Sequence, residues 1–320
     1  MESPKARSRR RARPSRRRAP LLAALVAVGV CGVTGGGTVC VKARAHAGSA
    51  AVPSSGSPSA SASAGAGEEA PVEPVTEPSA VDRTALLAKA MASVTVPSGA
   101  RVSAAVLQLD SGESAVFGGS AFDTASIVKV DILAALLLQA QDAGRRLTAA
   151  ERAYATKMIE NSDNASATAL WHTIGRAAGL DAANRRFGLT HTSGGDGGLW
   201  GLTQTTAADQ LALLRQVFGT ESLLGAASRT YVRTLMECVE TDQRWGVSAV
   251  ADGGSWALKN GWLPRGTTGL WDVNSIGRVT VDGSGYLVAV LSKGTVSRAR
   301  GISLVEAAAR AAVSSFTEAP

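Results

Sequence analysis

The chain has 320 residues and a formal net charge of +7 at neutral pH, enough length for one large domain with a sizeable core. The basic excess lies at the amino terminus: residues 1–47 carry 11 Lys or Arg and one acidic residue, whereas residues 48–320 carry 22 basic and 25 acidic residues. A mildly acidic body offers no basic face that could follow a phosphate backbone. We therefore expect no nucleic-acid partner.

Residues 1–47 have the pattern of an export signal. A cluster of arginines precedes an apolar run over residues 19–41, and Ala45-His46-Ala47 then forms a small-x-small cleavage pattern. The apolar run is also about long enough to anchor an uncleaved protein in a membrane. Residues 48–80 are rich in Ala, Ser and Pro and predict a disordered tether. We expect an extracytoplasmic protein, secreted or attached to the outer face of a bacterial membrane.

Residues 81–320 form the predicted folded domain, beginning with a helix that Asp82 could cap. Strands are predicted at 102–109, 113–117, 256–262, 271–281 and 286–292. Helices are predicted at 126–140, 148–160, 165–177, 181–187, 205–217, 222–238 and 302–314. This order predicts an α/β protein of the α+β type, with an antiparallel sheet of about five strands built from both ends of the domain. Terminal helices would flank the sheet, and the central helices would form an inserted all-α lobe.

Three short motifs carry the chemistry. In Ser126-Ile127-Val128-Lys129 the first and last residues share a helix face, so the amine of Lys129 can approach and activate the hydroxyl of Ser126. Ser162-Asp163-Asn164 lies between two predicted helices, where a hydroxyl and a carboxamide could relay a proton and bind a substrate amide. Lys259-Asn260-Gly261 lies on a predicted strand, where a cation could hold an anionic substrate group.

Together the three motifs resemble those of class A β-lactamases and penicillin-binding proteins, over roughly residues 82–315. The resemblance implies a β-lactamase/transpeptidase-like fold in which Ser126 is acylated, Lys129 activates it and Ser162 passes a proton to the leaving nitrogen. It further implies that Asn164, Lys259, Asn260, Gly261 and Trp262 bind substrate, with the backbone N–H groups of Ser126 and Trp262 forming the oxyanion hole. The substrate would be a β-lactam or a peptide ending in D-Ala-D-Ala.

The sequence departs from this family in two places that affect turnover. Asn260 occupies a position where the family has Thr or Ser. The loop over residues 190–201 has five glycines and lacks the family's deacylating glutamate. Its one acid, Asp196, is the remaining candidate for a deacylation base, although a turn aspartate between glycines is the simpler interpretation.

Three functions stay open at this stage. β-Lactamase-like hydrolysis leads, a D,D-peptidase with slow deacylation is the alternative, and a non-catalytic binding domain of the same fold is the third. A Ser-His-Asp hydrolase is less favoured because Gly-x-Ser-x-Gly is absent and His172 falls within a predicted helix. The three histidines lack ligand spacing, so we expect no metal and no cofactor. We also expect a monomer.

Overall fold

The structure is a computed structural model that describes residues 81–317 except residues 252 and 254. The predicted export signal or anchor at 1–47 and the predicted tether at 48–80 lie outside the described residues, as do residues 318–320. Within the described part of the chain, no helix is long and apolar enough to cross a membrane.

One antiparallel sheet of five strands forms the centre of the domain, and it is built from both ends of the chain. The order across the sheet is β2-β1-β7-β6-β5, so that β5 is an edge strand. The bounds are β1 Arg101–Gln108, β2 Ser114–Phe117, β5 Trp256–Pro264, β6 Trp271–Val281 and β7 Ser284–Thr295. A separate two-stranded ladder pairs β3 Phe122–Asp123 with β4 Gln204–Thr205.

Eight α-helices occur in the described residues. They are α1 Arg83–Ala92, α2 Val128–Asp142, α3 Ala149–Glu160, α4 Asn164–Thr173, α5 Arg176–Phe187, α6 Ala207–Phe218, α7 Ala226–Glu237 and α8 Arg298–Thr317. The side chain of Asp82 caps α1 by accepting a hydrogen bond from Ala85 N at 3.0 Å. Thr148 and Glu151 form a reciprocal capping box at the start of α3.

The sheet separates two apolar cores because successive residues of a strand point to opposite faces. On one face Val106 and Val288 pack with the terminal helices α1 and α8, and on the other Ala105 and Leu287 pack with the helical lobe. In that lobe α2 is buried on all sides from Val128 to Leu138. A buried central helix next to a sheet edge gives the residues at its start a fixed position.

The structure confirms the predicted fold class and corrects several boundaries. The helix predicted at 165–177 ends at Thr173, because Gly175 adopts a left-handed conformation with φ of 91° and starts a new helix. The helix predicted from Ser126 begins instead with a 3-10 turn over Ala125–Ile127. The β3–β4 ladder was not predicted, since two residues carry no usable alternation.

Asp131 is a buried carboxyl group inside the core of the lobe. Its side chain accepts one hydrogen bond, from Asn184 Nδ2 at 3.1 Å, and its other oxygen has no partner among the described residues. Burial raises its pKa from 3.8 to about 7, opposed by the bond from Asn184 and reinforced by the charges of Asp181 and Asp209. The folded state therefore keeps this proton at a pH where the unfolded chain has lost it.

This gives a first prediction for stability. The stabilisation from the raised pKa is fully present below pH 3.8 and is lost as the pH rises to about 7. We expect Asp131→Asn to remove this dependence, so that between about pH 5 and about pH 8 the wild type loses about 2–3 kcal/mol more unfolding free energy than the variant. Urea unfolding at the two pH values measures it. Asp110→Asn, at an exposed turn, should behave as the wild type, and a wild-type-like Asp131→Asn would contradict the prediction.

Candidate active site

Ser126 lies in the 3-10 turn that leads into α2, and its side chain is partly exposed. The residue before it, Ala125, has φ of 48°, a left-handed conformation that costs a non-glycine residue about 1–3 kcal/mol. The carboxamide of Asn274 on β6 holds this segment, donating to the main-chain oxygens of Asp123 and Thr124 at 2.9 and 3.0 Å. The strained backbone is therefore tied to the sheet immediately before the serine.

Lys129 is one helical turn after Ser126 and is completely buried. Its amine donates to Ser162 O at 2.6 Å, Ser162 Oγ at 3.1 Å and Asn164 Oδ1 at 2.8 Å. Burial lowers the pKa of Lys129 to about 7, and the negative charge of Asp163 opposes that shift only in part. An amine with such a pKa can accept a proton near neutral pH.

The loop between α3 and α4 supplies the acceptors for that amine. Asp163 caps α4 by accepting from Ser166 N at 2.7 Å. Hydrogen bonds from the side chain and then the backbone of Ser166 hold the pKa of its carboxyl below the usual value. Ser162 takes a left-handed φ of 55°. Asp163 therefore provides the cap of α4, which leaves the side chains of Ser162 and Asn164 to face Lys129.

Lys259 reaches the same hydroxyl from the other side of the fold. It is completely buried on the edge strand β5, and its amine donates to Ser162 Oγ and to Asn260 O, both at 3.0 Å. Burial and the charge of Lys129 together lower the pKa of Lys259 well below its usual value. Two amines thus flank one serine hydroxyl, with Lys129 coming from the helical lobe and Lys259 from the sheet.

Gly261 lies where β5 touches the backbone around the serine. A Cβ atom added at Gly261 would lie 2.7 Å from Ser126 N and 2.8 Å from both Ile127 N and Thr124 O. No side chain fits in that space, so glycine allows the edge strand to approach the amide of Ser126.

Asn260 and Trp262 point away from this cluster. The buried carboxamide of Asn260 donates to Gln243 O at 2.7 Å and Trp245 O at 2.9 Å, and the Trp262 ring packs against Trp245 and beneath the guanidinium of Arg298. The side-chain amide of Asn260 was predicted to bind substrate. The structure does not bring it to the amines of Lys129 and Lys259. Alternation along the strand explains this, because Lys259 and Gly261 share one face and Asn260 and Trp262 the other.

Asp196 also lies apart from the cluster. Its side chain is exposed, and in the described residues no hydrogen bond or ion pair joins it to Ser126, Lys129 or Ser162. The loop contributes Trp200 instead, whose ring centroid is 5.0 Å from the amine of Lys129. The role of deacylation base is thus not supported by the position of Asp196.

Three residues of the site were missed in the sequence: Trp200, Gln243 and Asn274. Gln243 accepts from the amine of Lys259 at 3.4 Å, and Asn274 fixes the segment before Ser126. Neither Gln243 nor Asn274 lies in a local sequence pattern that indicates its role. Trp200 offers a weak signal, as a large aromatic residue within a glycine-rich loop. The described residues contain no cluster of three or more His, Cys, Asp or Glu that could hold a metal.

Several solved structures are similar to this chain. A mutant of PBP-A, solved as an acyl-enzyme with penicillin G, is 24% identical with a TM-score of 0.63 over 73% of this chain and 97% of that one. A β-lactamase from Xanthomonas campestris pv. campestris is 22% identical with a TM-score of 0.57, over 72% of this chain and 95% of that one. A representative class A β-lactamase from Bacteroides cellulosilyticus is 15% identical with a TM-score of 0.62, over 73% and 98%. At these identities the likeness shows a shared fold.

Family membership rests on the sequence. A search of curated protein sequences found no significant match. The sequence model of the β-lactamase enzyme family, by contrast, matches residues 138–316, which is more than half of the chain and includes the loop of Ser162 and the strand of Lys259. The chain therefore belongs to the β-lactamase enzyme family.

Proposed function

We propose that this protein is an exported serine hydrolase that β-lactams acylate at Ser126 and that hydrolyses them through this acyl-enzyme, with deacylation as the slow step. The observation that carries the proposal is the convergence of the amines of Lys129 and Lys259 on the single hydroxyl of Ser162, with Lys129 three residues after Ser126. The fold shared with the penicillin G acyl-enzyme of the PBP-A mutant supports a β-lactam as the substrate. The export part rests on the sequence of residues 1–47.

The acylation step that we propose moves one proton through this cluster. Neutral Lys129 takes the proton of Ser126, whose oxygen attacks the β-lactam carbonyl. The oxyanion forms beside the N–H groups of Ser126 and Trp262. When the ring C–N bond breaks, the nitrogen takes a proton from Ser162, which receives one from Lys129, so that the proton of Ser126 ends on the product nitrogen.

Binding uses the remaining donors. The amine of Lys259 can attract the substrate carboxylate, which would also favour the protonated form of this buried lysine. Asn164 accepts from Lys129 through Oδ1, so its NH₂ group is available to donate to the carbonyl of the acyl-amide side chain.

A D,D-peptidase is the second candidate, and the position of Asp196 favours it. With that acid exposed and Trp200 beside Lys129, no carboxylate of the loop is placed to activate the deacylating water. A long-lived acyl-enzyme suits an enzyme whose acyl group is normally passed to another acceptor.

The nucleophile gives the next prediction. Incubation with benzylpenicillin should add one ligand mass to the wild type, as measured by intact-mass spectrometry, and Ser126→Ala should show no adduct. Ser111→Ala, at an exposed turn, is the control and should acylate normally. An adduct that persists in Ser126→Ala would contradict the assignment.

The lifetime of the adduct and a peptide assay separate the two candidate functions. A decaying adduct with hydrolysed drug in solution supports the hydrolase. A stable adduct, together with release of D-alanine from a peptide ending in D-Ala-D-Ala, supports the peptidase. Absence of both adduct and hydrolysed drug would exclude β-lactams as substrates and favour a binding domain.

The pH dependence of acylation tests Lys129 as the base. Because the neutral amine is the active form and its pKa is about 7, the acylation rate should fall about tenfold per pH unit below that value and level off above it. Stopped-flow measurement with a chromogenic cephalosporin gives the profile. A rate that is flat across this range would remove Lys129 from the role.

The close contact at Gly261 gives a further prediction. Gly261→Ala pushes β5 away from the amide of Ser126, so we expect acylation to slow by about 10²-fold, the cost of a displaced oxyanion donor. Gly266→Ala is the matched control, since a Cβ there meets nothing within 4 Å. Circular dichroism should show both variants folded. An unchanged rate in Gly261→Ala would mean that this contact does not position the oxyanion hole.

A further inference from the structure

The amine of Lys129 has hydrogen-bond acceptors on one side and an aromatic ring on another. Ser162 and Asn164 supply all three of its acceptors. The ring centroid of Trp200 lies 5.0 Å from the same nitrogen. Lys129 has no exposed surface, while Trp200 is itself partly exposed, so that a residue in contact with solvent lies against the buried amine.

Two hydrogen bonds tie Trp200 and its turn to neighbouring segments. Its Nε1 donates to Thr168 Oγ1 on α4 at 3.1 Å. Trp200 begins a 3-10 turn, and Thr203 directly after that turn accepts a backbone hydrogen bond from Thr124 N at 2.9 Å. The indole is therefore tied to the helix that follows Asp163, and the end of its turn is tied to the segment that precedes Ser126.

We infer that Trp200 is a positioning residue whose indole keeps water from the Lys129 amine on the loop side, so that this amine is available as a base for Ser126. The inference rests on the proposed function for its catalytic meaning, but the shielding itself is a property of the fold. Removing the shield would let water solvate the ammonium form and raise the pKa of Lys129, so that a smaller fraction of this amine would be neutral near pH 7.

The same ring can also act on the pKa of Lys129 in the opposite direction, so an experiment can distinguish the two effects. The face of an indole attracts a cation, so a purely electrostatic role would stabilise the ammonium form. The charges that face Lys129 from other elements are Asp163, at the start of α4, and Lys259 on β5. Neither charge is changed when Trp200 is replaced. The direction in which the pKa of Lys129 moves then shows whether shielding or cation–π attraction dominates.

The experiment is an NMR titration of the full-length protein carrying ¹³C-labelled lysine, with the Lys129 signal assigned by its loss in Lys129→Arg. In Trp200→Ala we expect the pKa of Lys129 to rise by at least about one unit. In Trp200→Phe, which keeps a flat apolar ring, the rise should be less than half as large. The exposed Lys89 is an internal reference and should not move.

Each outcome decides the inference. A rise in Trp200→Ala with a smaller rise in Trp200→Phe supports the shield. No change or a fall in Trp200→Ala overturns it, and so does an equal rise in both variants, which would assign the effect to the loop rather than the ring. If Trp200→Ala fails to fold by circular dichroism, Thr168→Val removes only the hydrogen bond to the indole. This variant should give a smaller rise, and an unchanged pKa would overturn the inference.

Acylation by benzylpenicillin, followed in parallel, separates this inference from the proposed function. If both hold, the midpoint of the acylation pH profile moves upward together with the NMR pKa. If the pKa rises but no variant is acylated at any pH, the shield stands and the proposed substrate fails. If acylation proceeds with an unmoved pKa, the proposed function stands and the shield fails.

Discussion

The site depends on two buried amines that share the hydroxyl of Ser162. Burying an ammonium group is costly unless acceptors replace its water, and two adjacent ammonium groups also repel each other. The chain meets the first cost with Ser162 O, Asn164 Oδ1 and Asn260 O. Burial lowers the pKa of both amines, and the charge of Lys129 lowers the pKa of Lys259 further. Because Lys129 belongs to the lobe and Lys259 to the sheet, the halves of the fold must meet within hydrogen-bond distance.

The sequence predicts the fold class, and its three motifs contain the residues whose side chains the structure brings together around Ser162. Ser126 and Lys129 are linked by helix spacing, and the resemblance that the three motifs carry together joined them to Ser162, Asn164 and Lys259. Alternation along β5 could also have shown that Asn260 faces away from its neighbours. The family resemblance assigns all three residues of the motif to the substrate, whereas only Lys259 and Gly261 share a face of the strand.

What the sequence could not predict depends on backbone conformation and on contacts between distant residues. Nothing local indicates that Ala125 adopts a positive φ, since that strain is imposed by the surrounding fold. The support from Asn274 spans about 150 positions. Gly175 is a local signal for the end of a helix, yet glycine within a helical pattern is often tolerated. The contact between Trp200 and Lys129 required the path of a loop without regular structure.

The backbone of that loop sets the positions of Asp196 and Trp200. A Cβ at Gly195 would lie 2.2 Å from Leu199 O, so the glycines let the loop fold tightly on itself. The tight fold turns Asp196 outward and carries Trp200 inward, over the amine. An indole there can exclude water but cannot accept a proton from it, whereas a carboxylate could do so. Under the proposed function, this arrangement would favour formation of the acyl-enzyme, through a neutral Lys129, over its hydrolysis.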